Sequence, residues 1–257
     1  MSTAKESLPF VQPQLSIVCV TYKDIPGIRR TLSSLESLYT SADGYVEVLV
    51  QDGGSGGEVD QLRNDYPWAK LVSDVDQGIY DAMNRGILRA QGKALWFLNG
   101  GDECLVQDWE TLGCLEKLGD QIFYFDFEIV SEGRRVHRQS RPAWYILHAL
   151  PTSHQAIIYP HKQVERVLYP LEYSVSADYA YTATLLKNGF KAVCEKVTLA
   201  AFFTGGTSTV RANDIGKDAA RVQKFILRSR IHSRVVSRVV HKISATFFLI
   251  KHAGKSS

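Results

Sequence analysis

Apolar and polar positions alternate along the first half of the chain in blocks that predict strands and helices in turn. LSIVCV, VEVLV and ALWFLN are short apolar runs rich in β-branched and aromatic residues, as expected of strands buried on both faces. Between the first two runs, apolar residues recur at steps of three and four, the spacing of an amphipathic helix, at Ile25, Ile28, Leu32, Leu35 and Leu38.

The whole pattern predicts an α/β fold. Predicted strands cover 15–20, 46–50, 70–73, 94–99, 121–127, 156–159 and 191–199. Predicted helices follow Ile25 and cover 79–90, 107–118, the start of 144–160, and 177–189. A glycine-rich turn is predicted at 202–209, and a helical, basic segment from about 215. Strands that alternate with helices imply right-handed crossovers and a Rossmann-like, mostly parallel sheet flanked by helices.

Polar or acidic residues follow four successive predicted strands: Thr21 and Tyr22, Asp52, Asp74 and Asp76, and Asn99 to Glu103. Ligands of open α/β sheets bind outside the carboxyl ends of the strands. We therefore expect a binding site where these four ends converge.

Carboxylates without cations nearby in sequence repel one another unless a positive group joins them. Mg²⁺ or Mn²⁺, bridging a carboxylate to phosphate oxygens, is the usual solution. Asp102 suits this role because Gly100 and Gly101 allow a diphosphate close to the backbone. The alternative is a tight turn with Asp102 merely solvated.

The segment VQDGGSGGEV supports two interpretations. Residues 53–57 fit G-x-S-x-G, the turn that exposes the nucleophile of a serine hydrolase, which would be Ser55. Asp52 instead predicts the rim of a nucleotide pocket. The hydrolase is the less favoured alternative, because HGGG-type residues are absent before Ser55 and the acidic strand ends would go unexplained.

Length and composition agree with one large globular domain, or one domain with an appendage: 257 residues, 45% hydrophobic and 22% charged. No apolar run approaches the roughly 18 residues of a membrane span, and the amino terminus lacks the apolar core of a signal peptide, so we expect a cytoplasmic protein. The four cysteines show no metal or redox spacing and are interpreted as structural.

LSIVCVTYK, VLVQDGGSGG, DQGIYDAMNRGILRAQGKALWFLNGGDE and SADYAY together resemble a family 2 glycosyltransferase of the GT-A fold. WYILHALPTSHQAIIYP and LEYSVSADYA resemble, in particular, the colanic-acid-type exopolysaccharide glycosyltransferases of bacteria. The resemblance covers roughly residues 14 to 210.

The resemblance implies a role for each matching residue. Thr21 and Tyr22 would line the pocket of the donor base, Asp52 would hold the base or ribose, and Gly78, Asp81, Asn84 and Gly101 would face the donor sugar and diphosphate. Asp102 would bind the metal ion, Mn²⁺ or Mg²⁺, and Asp178 would be the catalytic base of an inverting transfer. His154 and Gln155 would contact the acceptor or the diphosphate, as would a loop at Gly205 and Gly206.

Three of these positions have local alternatives that the sequence leaves open. Asp178 is also explained as an acid favoured at a helix N-terminus, His154 as a structural histidine, and the glycine loop as an ordinary turn.

The chain departs from the family pattern at four places. The acid that usually follows Ser55 is missing, Gly100 occupies the place of the first acid of the D-x-D metal motif, and Ala177 replaces an acid before the base. The Q-x-x-R-W motif of processive synthases is absent, so we expect one sugar per encounter.

Charge is divided unevenly between the body and the carboxyl-terminal tail. Residues 211–257 hold 11 Lys/Arg and 2 Asp/Glu, whereas the first 210 hold 19 and 25, giving net charges of +9 and −6. In the tail, Arg234, Arg238, His241 and Lys242 share one helical face, and the opposite face is apolar. Such a helix favours an anionic membrane surface, or else packing on the acidic body; nucleic acid is the least favoured partner.

The sequence thus predicts a GT-A domain over 1–210, with a donor half at about 14–125 and an acceptor half at about 126–210, and a basic helical tail over 211–257. The predicted activity is transfer of a sugar from a nucleotide-sugar to a polyprenyl-diphosphate-linked glycan, on the inner face of the bacterial plasma membrane. The alternative is a catalytically inactive nucleotide-sugar-binding or scaffold subunit, to which the missing acids would be suited.

Overall fold

The computed structural model describes residues 12–161, 167–205 and 212–228. The strands are β1 (Leu15–Thr21), β2 (Val46–Asp52), β3 (Ala69–Ser73), β4 (Ala94–Phe97), β5 (Glu103–Cys104), β6 (Gln121–Ser131), β7 (Arg134–Arg138), β8 (Ile157–Pro160) and β9 (Lys191–Phe203). The α-helices are α1 (Ile25–Ser41), α2 (Val59–Asp65), α3 (Ile79–Arg89), α4 (Ala177–Lys187) and α5 (Ala212–Arg221). Three 3₁₀ helices cover Glu110–Lys117, Ala143–Leu147 and His154–Ala156, and a π-helical turn over Val222–Ile226 follows α5.

The strands form one curled mixed sheet in the order β3-β2-β1-β4-β8-β6-β9-β5, with β7 paired to β6. The first four strands are mutually parallel. β8 joins β4 and β6 in antiparallel pairs, whereas β6 and β9 run parallel. The predicted α/β class is confirmed, and the antiparallel pairings belong to the second half of the sheet.

The two faces of the sheet carry separate hydrophobic cores, because successive side chains of a strand point to opposite faces. Leu15, Ile17 and Cys19 of β1 pack on the side of α1, whose Ile28, Leu32, Leu35 and Leu38 are fully buried. Val18 and Val20 pack on the other side with residues of α3 and α4. Every residue of β1 and β2 is buried, as their continuous apolar runs predict.

Local signals explain where two of the helices lie. The Asp24 carboxylate accepts a hydrogen bond from the Gly27 amide at 2.9 Å and caps α1. Helix α3 lies directly on β1 at Gly86, where a Cβ atom would be 2.3 Å from the Val18 side chain. This contact places the amino end of α3 beside the carboxyl end of β1.

Three sequence predictions differ from the structure in detail. The helix expected at 107–118 is a 3₁₀ helix with a kink at Leu112. The β6–β7 hairpin was not predicted, because β7 (RRVHR) is a polar, exposed edge strand without an apolar pattern. Strand β9 continues through Phe202 and Phe203, where the sequence predicts the start of the glycine-rich turn.

The predicted basic helix starts at Ala212, and positions 229–257 lie outside the described residues, so the structure does not test the amphipathic face of the tail. In the part of the chain that is described, no helix has both the length and the apolarity to cross a membrane. The cysteines are free thiols, of which Cys19 and Cys104 are buried and Cys194 is exposed.

Candidate active site

A cavity of about 1300 Å³ opens at the carboxyl ends of the parallel strands. Its walls include residues after β1, β3 and β4, the amino ends of α3 and α4, and the end of β9. The order β2-β1-β4 makes the gap between β1 and β4 a topological switch point, the place where open α/β sheets bind ligands. The cavity is roomier than typical small-molecule pockets of about 300–1,000 Å³, which suits a site for two substrates.

Asp102 lies in the loop after β4 and is almost fully buried in the cavity wall. Its carboxylate accepts hydrogen bonds from the Gln155 side chain at 2.9 Å and from the Phe203 amide at 3.0 Å. Burial raises the pKa of Asp102 to about 7, against the lowering effect of these two hydrogen bonds. Two segments distant in the chain therefore converge on one carboxyl group.

The loop that carries Asp102 is braced by helix α1. Thr31 donates to the Asp102 carbonyl at 2.7 Å and accepts from the Gly101 amide at 3.0 Å. Gly101 has φ of 101°, a backbone conformation that favours glycine. The glycine of this motif therefore serves the turn that presents Asp102 to the cavity.

Asp102 is chemically suited to hold a divalent cation. Among the described residues, no group of three or more His, Cys, Asp or Glu side chains forms a complete metal site. Mg²⁺ needs no such group in nucleotide sites, because one or two carboxylates and the substrate phosphates hold it. Each Asp102 oxygen accepts a single hydrogen bond in the structure and has capacity for another interaction.

Asp178 lies in the first turn of α4 and lines the same cavity as Asp102. Burial raises its pKa to about 6, while the hydrogen bond from the Tyr179 amide and the nearby Tyr80 hydroxyl act in the opposite direction. The Tyr80 hydroxyl, in α3, donates its proton to the Val175 carbonyl. The result is a carboxyl group whose proton affinity is tuned close to neutrality, as general bases require.

His154 and Gln155 both reach the cavity, but their environments differ. The His154 Nε2 atom hydrogen-bonds the Tyr169 hydroxyl at 2.8 Å, and burial lowers the pKa of the imidazole to about 3. His154 is therefore neutral at physiological pH. The Ser153 hydroxyl donates to the Gln155 side-chain oxygen at 2.5 Å, and the Gln155 side-chain nitrogen donates to Asp102. Ser153, Gln155 and Asp102 therefore form a chain of hydrogen bonds.

Asp52 is fully buried and is not among the residues that line the cavity. Its carboxylate accepts hydrogen bonds from the Ser55 side chain and amide, the Gly54 amide and the Ser73 hydroxyl. Burial opposes ionisation of Asp52, but these hydrogen bonds hold its pKa below the ordinary value. Asp52 thereby orders the loop after β2.

Ser55 belongs to the same loop, and within residues 12–161, 167–205 and 212–228 no histidine bonds its hydroxyl. Its hydroxyl donates to Asp52 and accepts from the Lys23 amide at 2.6 Å. Since His154 pairs with Tyr169, the geometry does not support a serine hydrolase.

The residues predicted on α3 separate into two groups. Gly78 and Asp81 line the cavity, and Asp81 is engaged by Arg85 at 2.9 Å. Asn84 does not line it: both of its side-chain polar atoms bond the backbone of Tyr169, at 2.7 and 3.0 Å. Asn84 thereby forms a bridge between α3 and the segment before α4.

Of the remaining predicted site residues, all but one lie in the described part of the chain. Thr21, Tyr22, Gly101 and Gly205 line the cavity, whereas Gly206 is outside the described residues.

The structure adds Arg30 and Tyr80 to the cavity, and it places Asp76, one of the acids expected at a strand end, in the cavity wall. Arg30, on α1, donates to the Gly101 carbonyl at 3.1 Å and lies over the Phe203 ring. Asp76 lies close to Gly53, where a Cβ atom would be 2.8 Å from its carboxylate. Tyr80 reaches the Asp178 loop. Only Asp76 carried a signal, as an acid after β3; Arg30 and Tyr80 are brought in by helix packing.

A model of glycosyl transferase family 2 matches residues 16–166, more than half of the chain. This protein is a member of that family. The predicted family is thereby confirmed.

The curated relatives resemble a limited part of the chain. An uncharacterized glycosyltransferase of Mycobacterium tuberculosis is 39% identical over 92 residues, 35% of this chain and 34% of the relative. A PGL/p-HBAD biosynthesis glycosyltransferase of Mycobacterium bovis is 38% identical over 78 residues, 28% of this chain and 30% of the relative. The chain thus spans about a third of the length of these relatives.

Solved structures show the GT-A fold. Residues 1–349 of S. aureus TarS in complex with UDP match with a TM-score of 0.64 and 15% identity, over 87% of this chain and 68% of that one. A mannosyltransferase from Pyrobaculum calidifontis in complex with GDP-Man and Mn²⁺ matches with a TM-score of 0.63 and 15% identity, over 91% and 69%. At this identity the likeness concerns the fold.

Proposed function

We propose that this protein is an inverting, metal-dependent glycosyltransferase that moves one sugar from a nucleotide-sugar to an acceptor hydroxyl. The observation that carries the proposal is that Asp102 and Asp178 line one cavity at the switch point of a GT-A sheet. Asp102 is suited to bind a metal ion beside a diphosphate, and Asp178 is suited to accept a proton. The binding of UDP and of GDP-Man with Mn²⁺ by proteins of the same fold supports a nucleotide-sugar donor.

The donor would lie along the strand ends. We place the base beside Tyr22 and Asp76, near Gly53, and the diphosphate near Asp102, Gly101 and Arg30, which all line the cavity. A divalent cation held by Asp102 would supply positive charge to the departing diphosphate. The Arg30 guanidinium would add a second positive charge on the protein side.

The transfer itself requires one proton acceptor. The acceptor oxygen forms a bond to the anomeric carbon as the bond from that carbon to the phosphate oxygen breaks, and the electron pair leaves with the nucleoside diphosphate. Asp178 takes the proton of the attacking hydroxyl. A single displacement inverts the anomeric configuration. His154, being neutral, would serve as a hydrogen-bonding partner rather than a charge.

The finer assignments rest on sequence. We propose a donor half at about 14–125, an acceptor half at about 126–210 and a basic tail that lies on an anionic membrane surface. A polyprenyl-diphosphate-linked glycan, in exopolysaccharide synthesis of the colanic-acid type, fits such a location. Release after one sugar is expected because the Q-x-x-R-W motif is absent.

A thermal-shift screen of UDP- and GDP-sugars, with and without Mn²⁺, tests the proposal. A ligand at a hundred times its Kd stabilises the native state by about 2.7 kcal/mol. We expect one nucleotide-sugar to raise the Tm, and more so with Mn²⁺. If no nucleotide-sugar binds under any condition, the proposed function is wrong.

The inactive scaffold makes a different prediction in the same assay. It would bind a nucleotide-sugar without releasing nucleoside diphosphate in the presence of any glycan acceptor. Release of nucleoside diphosphate that depends on the acceptor excludes it.

A further inference from the structure

Helix α5, which follows the predicted GT-A domain, contacts the cavity wall through one buried acid. Asp218 is 5% exposed and faces the segment that leads into α4. Its Oδ2 atom accepts from the Val175 amide at 3.1 Å, the Ser176 amide at 3.4 Å and the Ser174 hydroxyl at 3.5 Å. Ser176, at the N-cap position of α4, makes no capping hydrogen bond of its own. Asp218, from another helix, instead accepts from the Val175 and Ser176 amides, which come directly before α4.

The same segment is held at further points. Tyr80 donates to the Val175 carbonyl, so both backbone polar groups of Val175 are fixed, the carbonyl from α3 and the amide from α5. Arg221, one turn after Asp218, donates to the Glu172 carbonyl at 3.0 Å and lies over the Tyr173 ring at 4.6 Å. These contacts make α5 a clamp on residues 172–176.

The clamped segment leads directly to Asp178. Tyr173, Ser174 and Val175 line the cavity, and Asp178 follows two residues after Ser176. Since Asp178 is in the first turn of α4, the path of residues 174–176 sets where its carboxylate points. Neither Asp218 nor Arg221 lines the cavity.

We propose that Asp218 is a positioning residue for the catalytic base, and that α5 is thereby part of the catalytic apparatus. This inference rests on the function proposed above, in which Asp178 accepts the proton. Asp218 does not touch substrate; it fixes the loop from which the base is presented. Loss of the clamp therefore affects the transfer step rather than donor binding.

Turnover and donor binding by Asp218→Ala and Asp218→Asn test the proposal. A displacement of about 1 Å at a reacting group is enough for a 10²-fold loss, so we expect kcat of Asp218→Ala to fall about 10²-fold. Asn keeps a neutral acceptor for the amides, and we expect a fall of about tenfold, since hydrogen bonds to charged groups are the stronger ones. The donor Kd should stay within about twofold, because Asp218 does not contact the proposed donor site and its loss should change kcat rather than donor binding.

Asp126→Ala is the matched control. Asp126 is also a buried carboxylate, 6% exposed, that accepts a loop amide, from Ser140 at 2.8 Å, and it does not line the cavity. Each kcat is expressed per donor-binding site, so that unfolded material does not count. Hydrogen exchange of the peptides covering 172–178 should be faster in Asp218→Ala and unchanged in Asp126→Ala.

Equal losses in the Asp218 and Asp126 variants, or unchanged kcat of Asp218→Ala with faster exchange, would overturn the positioning role. Should Asp218→Ala not fold, the milder Asp218→Asn decides, with the same readouts. Failure of the proposed function is recognised separately: the unmodified protein would then show no turnover, or Asp178→Asn would turn over as fast as the unmodified protein.

Discussion

The two acids of the cavity, Asp102 and Asp178, are held in opposite ways. Asp102 accepts hydrogen bonds from Gln155 and Phe203, which are 53 and 101 residues away in the chain. Asp178 accepts from the amide of its own neighbour Tyr179, and the loop before it is held from outside. Burial raises the pKa of both, to about 7 and about 6.

This difference separates two ways of building a functional carboxylate. The direction of the Asp102 side chain is set by side-chain and backbone donors that meet only in the folded state, which suits a ligand of fixed geometry. The position of the Asp178 carboxyl group depends on the path of the backbone, and its pKa depends on burial. This arrangement suits a group that must accept a proton. Substitutions at and around each acid should therefore change different steps.

Replacement of Asp178 should have the largest effect. We expect Asp178→Asn to lower kcat by about 10³-fold, because it removes the proton acceptor and leaves a side chain of the same shape. Donor affinity, measured by calorimetry, should stay within about twofold. Asp108→Asn, at an exposed acid that caps a distant turn, is the control and should retain full activity. Unchanged turnover of Asp178→Asn would refute the assignment of the base.

Replacement of Asp102 should follow, with a different signature. We expect Asp102→Asn to lower kcat/KM by about 10²-fold, the loss that follows removal of one electrostatic group from a site of developing charge. The Tm increase produced by the nucleotide-sugar should also lose its dependence on Mn²⁺. If Mn²⁺ still strengthens donor binding in this variant, Asp102 is not the ligand.

Gln155→Ala sharpens the comparison because it changes only the support of Asp102. Partners that orient a metal ligand are worth about 10–100-fold in affinity, and we expect a loss near the lower end in Mn²⁺-dependent donor binding. Ser153→Ala, which removes only the next hydrogen bond in the chain, should have a smaller effect. Equal binding by the Gln155 variant and the unmodified protein would contradict the role of this contact.

The pH dependence of kcat under donor saturation should show the smallest effect. It should report Asp178, because a cation bound to Asp102 would keep the Asp102 carboxylate ionised. The base must be ionised, so kcat should be maximal above pH 6 and decline as the pH falls through about 6, the pKa of Asp178. The Tyr80 hydroxyl lowers that pKa, so Tyr80→Phe should move the midpoint to higher pH. The profile of kcat under donor saturation measures both. A shift to lower pH would show that Tyr80 does not stabilise the carboxylate.

The sequence predicted the first, parallel part of the sheet well, because the signals for these strands are local. Strands β1, β2 and β4 are continuous apolar runs, and Asp102 follows a strand within a glycine turn. In contrast, nothing near Asp52 in sequence shows that Ser73, on the neighbouring strand β3, would donate a hydrogen bond to its carboxylate.

The contacts around Asp178 were beyond sequence reasoning for the same reason. Asp218 and Tyr80 reach the loop before α4 from helices that are 43 and 95 residues from Val175 in the chain. Asn84 is a further case, since the sequence does not show that its side chain would bond the Tyr169 backbone. Tertiary packing decides such cases, and no periodicity encodes it.

The exposed thiol of Cys194 gives this protein a ready attachment point for a spectroscopic probe. Burial raises the pKa of Cys19, Cys104 and Cys114 and keeps these thiols protonated, whereas Cys194 is at the surface of β9. A maleimide dye should therefore label one position of the unaltered sequence. Because β9 runs on to Phe203, whose amide donates to Asp102, a dye at Cys194 would sit on a strand that also contacts the proposed metal ligand. A change in its emission on addition of a nucleotide-sugar would report the proposed binding in real time.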